Sequence, residues 1–208
     1  MTAGTKWLGG MLAAMGLMGV GVAHAENWDD NFRRDRLKQT AEPAMTVRIT
    51  AGEANFTGGL DTHTRIGPAW GAAVSSRWNV VAGELAYEGS HHAIDNNLAP
   101  EGAALWRNGV SGMAKIGPKV TQTLRPYLGA GLGVSYVTPN RLAQGNYQND
   151  FMEEIPVAAG LDYDAGAFNA GVRTTYRFLM GEEFAEPAGI GKTEGGLFST
   201  TFNLGGRF

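Results

Sequence analysis

The closing segment, GLFSTTFNLGGRF (196–208), alternates strictly up to its last residue. Phe198, Thr200, Phe202, Leu204 and Phe208 fall on one parity, and Ser199, Thr201, Asn203 and Arg207 on the other. A period of two is the mark of a strand with unlike faces. Seven earlier runs share the habit: 45–58, 66–78, 79–94, 105–117, 124–137, 150–163 and 168–180. Short turn segments (SRWN, GPKVTQ, DYDAGA) alternate with longer ones (DNNLAPEGAA, TPNRLAQGNYQN, GEEFAEPAGIGKTEGG). Tight turns at one end and longer loops at the other define an all-β, eight-stranded antiparallel up-and-down barrel.

The parity of charge and bulk decides which way such a barrel is turned. In 168–180, Phe168, Val172, Tyr176 and Phe178 oppose Asn169, Arg173, Thr175 and Arg177. Elsewhere Leu85 and Tyr87 oppose Glu84 and Glu88, Trp106 and Val110 oppose Arg107 and Lys115, and Ile155 and Leu161 oppose Glu154 and Asp162. The polar parity also carries Gly129, Gly131 and Gly133, which weaken a wet outer face but make room in a narrow lumen for an arginine or tyrosine from the opposite wall. Aromatics sort to the strand ends of the apolar parity. Phe56, Tyr87, Trp106, Tyr136, Phe151, Phe178 and Phe198 lie toward the loops, and Trp78, Tyr163, Phe168 and Phe208 toward the turns. Two aromatic belts are what bilayer interfaces select, so the apolar face is expected to meet lipid. Eight strands leave only enough space for side chains to fill. The expected lumen network is Arg48, Glu84, Glu88, Arg107, Lys115, Arg125, Glu154, Arg173 and Arg177, with Asp162, Asp164 and Arg207 on the same faces.

The remaining sequence fits export. Residues 1–25 join one Lys6 to a short apolar run and an Ala-His-Ala ending, the pattern of a cleaved signal peptide. Residues 26–44 form a polar segment that precedes the barrel at 45–208. The absence of cysteine excludes a disulfide scaffold and a thiol catalyst. A formal charge of −3 without a basic stripe argues against nucleic acid.

An export signal, eight strands, RPYLGAGLGVSYV (125–137) and the terminal FSTTFNLGGRF resemble the OmpA-like and OmpX-like family of small outer-membrane barrels, over residues 45–208. That resemblance implies a Gram-negative outer-membrane location and contact with lipid and lipopolysaccharide. It also implies a closing signal, carried here by Phe202, Leu204 and Phe208, that the barrel-insertion machinery reads. It implies no cofactor. A monomer is expected, and the peptidoglycan anchoring of longer relatives is not.

Three function classes remain. A charged plug that holds the barrel shut points to a structural role in the envelope. The alternatives are a gated, low-conductance channel, in which Glu84 or Glu88 exchanges partners among Arg107, Arg125 and Arg173, and loop-mediated adhesion. The least favoured alternative is a lipid A-modifying enzyme, and an enzyme is not expected. Ser90, His91 and His92 are adjacent, but alternation sends Ser90 and His92 inward and His91 outward, with the first two about 6.5 Å apart at their α-carbons. Side chains are expected to close that gap only where the strand ends or bulges. A metal site from His63, His91 and His92 would need two loops to meet and has no ligand spacing to support it.

Overall fold

The computed structural model describes residues 44–61, 63–94, 100–180 and 195–208. The expected signal peptide, most of the polar segment at 26–44 and most of the longest connection (181–194) lie outside these residues. Eight strands follow in order: β1 (Ala44–Thr57), β2 (Gly67–Trp78), β3 (Val81–Ala93), β4 (Ala104–Ile116), β5 (Leu124–Pro139), β6 (Asp150–Ala165), β7 (Phe168–Met180) and β8 (Gly196–Arg207). Each pairs antiparallel with its neighbours, and β8 pairs with β1, so the sheet closes on itself. Closure gives every strand a partner on both sides, the condition for a sheet surrounded by hydrocarbon.

The faces are inverted relative to a water-soluble barrel. Ile49, Leu128, Leu132 and Phe202 point outward and are 61–70 % exposed, while Arg48, Lys115, Glu154 and Arg173 point inward and are 0–3 % exposed. Exposed apolar surface on this scale is stable only when lipid covers it. Both aromatic belts are present on the outside, with one exception. Phe56 shares the parity of Arg48 and is fully buried inside the barrel.

At the turn end, Asn79 adopts φ 56° and makes the β2–β3 turn with Val80, so β3 starts two residues later than the alternation alone suggests. Asparagine tolerates this left-handed conformation better than other residues with a Cβ. At the seam, Phe208 N donates to Met45 O at 2.8 Å and Met45 N to Phe208 O at 3.2 Å, which extends the β1–β8 pairing to the last residue. The glycine row on β5 works differently from the expectation. A Cβ at Gly129 would meet Met113 Sδ at 2.7 Å and Lys115 Cγ at 2.9 Å, and one at Gly133 would meet Ser111 Cβ at 3.0 Å. These neighbours belong to the adjacent strand β4, not to the opposite wall. The row lets β4 side chains lean over β5.

Candidate functional site in the barrel lumen

The nine expected network residues all face inward, because in a strand each shares parity with the lumen side of its neighbours. The structure groups them in tiers along the barrel axis. In the middle, Glu84 on β3 accepts from three strands. Lys115 Nζ lies 2.6 Å away, Arg173 Nη2 2.7 Å and Arg48 Nη1 3.3 Å. Tyr127 braces the cluster. Its hydroxyl accepts from Arg173 Nε at 2.9 Å, and the Lys115 ammonium sits 4.8 Å from its ring centroid. A Cβ at Gly160, opposite Tyr127 in register, would fall 2.5 Å from that ring, so only glycine leaves the tyrosine its place.

Nearer the loop end, Glu154 on β6 binds Arg107 through both Nε (2.8 Å) and Nη2, and accepts from Ser135 Oγ at 2.6 Å. Arg177 links the carboxylates: Nη2 pairs with Glu88, and Nε lies 3.6 Å from Glu154 Oε2. Its Nη1 donates to Ser199 Oγ at 2.9 Å. Nearer the turn end, Arg48 and Arg77 share Asp162 Oδ2, at 3.5 and 3.3 Å. Arg125 reaches Gly117 O at 2.8 Å and stands 3.9 Å from Asp164. Arg77 was missing from the expected network, although it lies in phase with the inward Ala73 and Ser75.

Above the charges the lumen changes character. Phe56, Leu105, Val137, Met152, Leu179 and Leu197 fill the loop end together with Ala143 and Tyr147 of the β5–β6 connection. That connection folds over the mouth as a pair of tight turns (Ala143 N to Asn140 O and Tyr147 N to Ala143 O, both 2.9 Å). Asn140 ties it down, donating from its side chain to Gly102 O at 2.8 Å. A charged plug alone does not describe this interior, because its last layer is an apolar cap. The signal for it was present: each capping strand residue sits on the polar parity, one inward position beyond Arg107, Ser135, Glu154, Arg177 or Ser199, or in phase with Arg48.

The three histidine-region residues separate as parity requires. His91 packs outside on Trp106, ring centroids 4.5 Å apart, whereas Ser90 and His92 are buried inside. His92 therefore cannot join His91 on a metal. Ser90 Oγ and His92 Nε2 meet at 2.9 Å without a bulge, one residue short of the strand's end at Ala93. Next-but-one residues on one face can bridge their α-carbon spacing when one carries a ring long enough to lean along the strand. His92 Nδ1 lies 3.3 Å from Arg65 O, a carbonyl, so Nδ1 carries the proton and Nε2 accepts from the serine. Phe56 covers the imidazole at a centroid distance of 4.6 Å.

Against known proteins the likeness is one of shape. No protein-family model and no curated protein sequence matches the chain. Among solved structures, Neisserial surface protein A superposes with a TM-score of 0.58 at 16 % identity, covering 80 % of this chain and all of that one. Ail, the attachment invasion locus protein of Yersinia pestis, in complex with the heparin analogue sucrose octasulfate, gives 0.54 at 11 % identity, covering 81 % of this chain and all of Ail. The fold is that of the small eight-stranded outer-membrane barrels. At these identities the likeness extends to the fold and no further.

Proposed function

We propose that this chain is an integral outer-membrane protein of a Gram-negative envelope whose barrel serves as a closed structural element. Residues 1–25 act as its export signal, the loop end faces outward and the turn end faces the periplasm. The OmpA-like and OmpX-like resemblance of 45–208 supports this placement, as do the apolar exterior and its two aromatic belts. Phe202, Leu204 and Phe208 supply the signal for the insertion machinery. Outer-membrane lipid and lipopolysaccharide are the partners of the outer wall.

The observation that carries the structural reading is double closure: cross-lumen ion pairs at mid-barrel and an apolar cap at the loop end. Deleting the gene should raise leakage of periplasmic enzymes and sensitivity to detergent, and unchanged leakage and sensitivity would count against an envelope role. One geometry favours a second reading, a gated channel. Arg177 contacts both Glu88 and Glu154 and could exchange between them. Adhesion to a sulfated polyanion of the kind Ail was crystallised with is disfavoured, because 181–194 carries Glu182, Glu183, Glu186 and Glu194 against Lys192. We read the Ser90–His92 pair as a lock on the end of β3 rather than as a catalyst. It has the hydrogen bond of an activated serine, but it lies beneath Phe56 with 0–1 % exposure.

A further inference from the structure

One seam of the barrel is built differently from the rest. Among the described residues, seven of the eight strand pairings run without an interior break. Between β5 and β6 the ladder stops after Ala130↔Val157 and resumes at Gly133↔Glu154 in the same register, so no bulge accounts for the break. The cause is Pro156. At the turn end Asp164 N donates to Thr123 O at 2.8 Å. Hydrogen-bonded pairs recur at every second residue of an antiparallel ladder. Counted from there, they fall at Asp162 with Arg125, Gly160 with Tyr127 and Ala158 with Gly129. The next would be Pro156 with Gly131. Proline has no N–H to donate, so Gly131 O loses its ladder donor in a wall that faces hydrocarbon.

Side chains do not make up the loss. On the inner face this stretch of β5 presents Gly129, Gly131 and Gly133. The atoms nearest a Cβ at each of them all belong to β4, among Val110, Ser111, Gly112, Met113, Ala114 and Lys115. On the outer face Ala130 and Ala159 leave a groove along the seam, lined also by Leu128 and Val157. Cross-strand side-chain pairs stabilise a sheet alongside its ladder, and here β5 is packed against β4 and bare toward β6. Side-chain bridges cross the seam nearer its ends, Ser135 Oγ to Glu154 Oε1 at 2.6 Å and Arg125 Nε to Asp164 Oδ2 at 3.9 Å.

We propose that the barrel wall parts at the β5–β6 seam, beside Gly131 and Pro156, before any other seam gives way. With the lumen filled along its axis, this lateral break is where water reaches the interior. It opens beside the Glu154 tier, because Glu154 is the next inward residue of β6 after Pro156.

The test is amide hydrogen exchange, read by NMR on the full chain refolded in detergent. The ladder amides of Gly129, Gly131, Gly133, Glu154 and Ala158 should exchange at least about tenfold faster than mid-strand ladder amides between β3 and β4, as local opening ahead of global unfolding requires. Pro156→Ala returns the donor. It should slow the β5–β6 amides by about tenfold and leave those of β3–β4 unchanged. The chain has no cysteine of its own, so Leu132→Cys with Ile155→Cys places one disulfide across the break, at a non-hydrogen-bonded pair whose spacing suits the bond. Oxidation should slow the same amides, and reduction should release them. The heat-modifiable gel band checks that each variant is folded. Exchange at β5–β6 no faster than at β3–β4 would overturn the proposal. So would fast exchange that persists in Pro156→Ala or with the disulfide formed.

Discussion

The middle of the lumen and its loop end are walled by the same strands in the same parity, yet they are filled by opposite chemistry. Around Glu84 the inside is charged and the outside is aliphatic. Around Leu105 the inside is apolar, and the exterior of β1 at this end turns polar, with Glu53 and Asn55 outward beside the inward Ala54 and Phe56. The contrast follows from the solvent on the far side of the sheet. Where lipid lies outside, an apolar interior would leave nothing to say which face is in, and a one-residue slip in register would cost little. Charges inside make that slip prohibitive. Level with the outward Trp106, Phe151, Phe178 and Phe198, where a bilayer interface would replace hydrocarbon, apolar side chains fill the centre as in a soluble barrel. The change of filling coincides with the loop-side aromatic belt.

The comparison breaks most severely at Glu84. Glu84→Gln leaves Arg48, Lys115 and Arg173 facing one another without their shared anion. Removing one partner of a buried cluster costs about 3–5 kcal/mol. The urea midpoint of the refolded barrel should fall accordingly, and adding Lys115→Met should recover part of the loss by removing a surplus cation. The cap should fail by cavity rather than by charge. Leu105→Ala should cost about 2–4 kcal/mol, and no compensating charge change should rescue it. Rescue by a charge change would mean that the two regions are not distinct. Phe208→Ser acts outside both. It should lower the yield of assembled barrel with export across the inner membrane unchanged, and equal outer-membrane levels would remove the assembly role. The smallest effect is expected at Ser90. Ser90→Ala leaves His92 Nε2 without its donor and should cost about 1 kcal/mol. Mass spectra of lipid A should be the same with parent and variant, and an acyl chain lost or gained only with the parent would make the pair catalytic.

Much of this could be read from alternation alone. The eight strands, their order and the face of each charge follow from a period of two, because parity is local. The pairing inside does not. Arg173 and Glu84 are 89 residues apart and meet only because β7 and β3 stand across a narrow lumen, a distance that depends on closure and side-chain reach. The cap is also in the alternation. Phe56 has the residue type of the outer belt, but its phase with Arg48 places it inside. The α-carbon spacing of Ser90 and His92 limits their contact to a strand end or bulge, and that spacing ignores the lean of an imidazole along the strand. Arg77 is hard to read as inward, because it stands on a strand where small residues occupy both faces and the alternation is weak.

Planar-bilayer recording of the refolded chain tests double closure most directly. With the charge tier and the cap both in place, the parent should carry no steady current and open only rarely and to a small conductance. A stable, large and non-selective current through the parent barrel would contradict the account, because neither filling would then be closing the lumen.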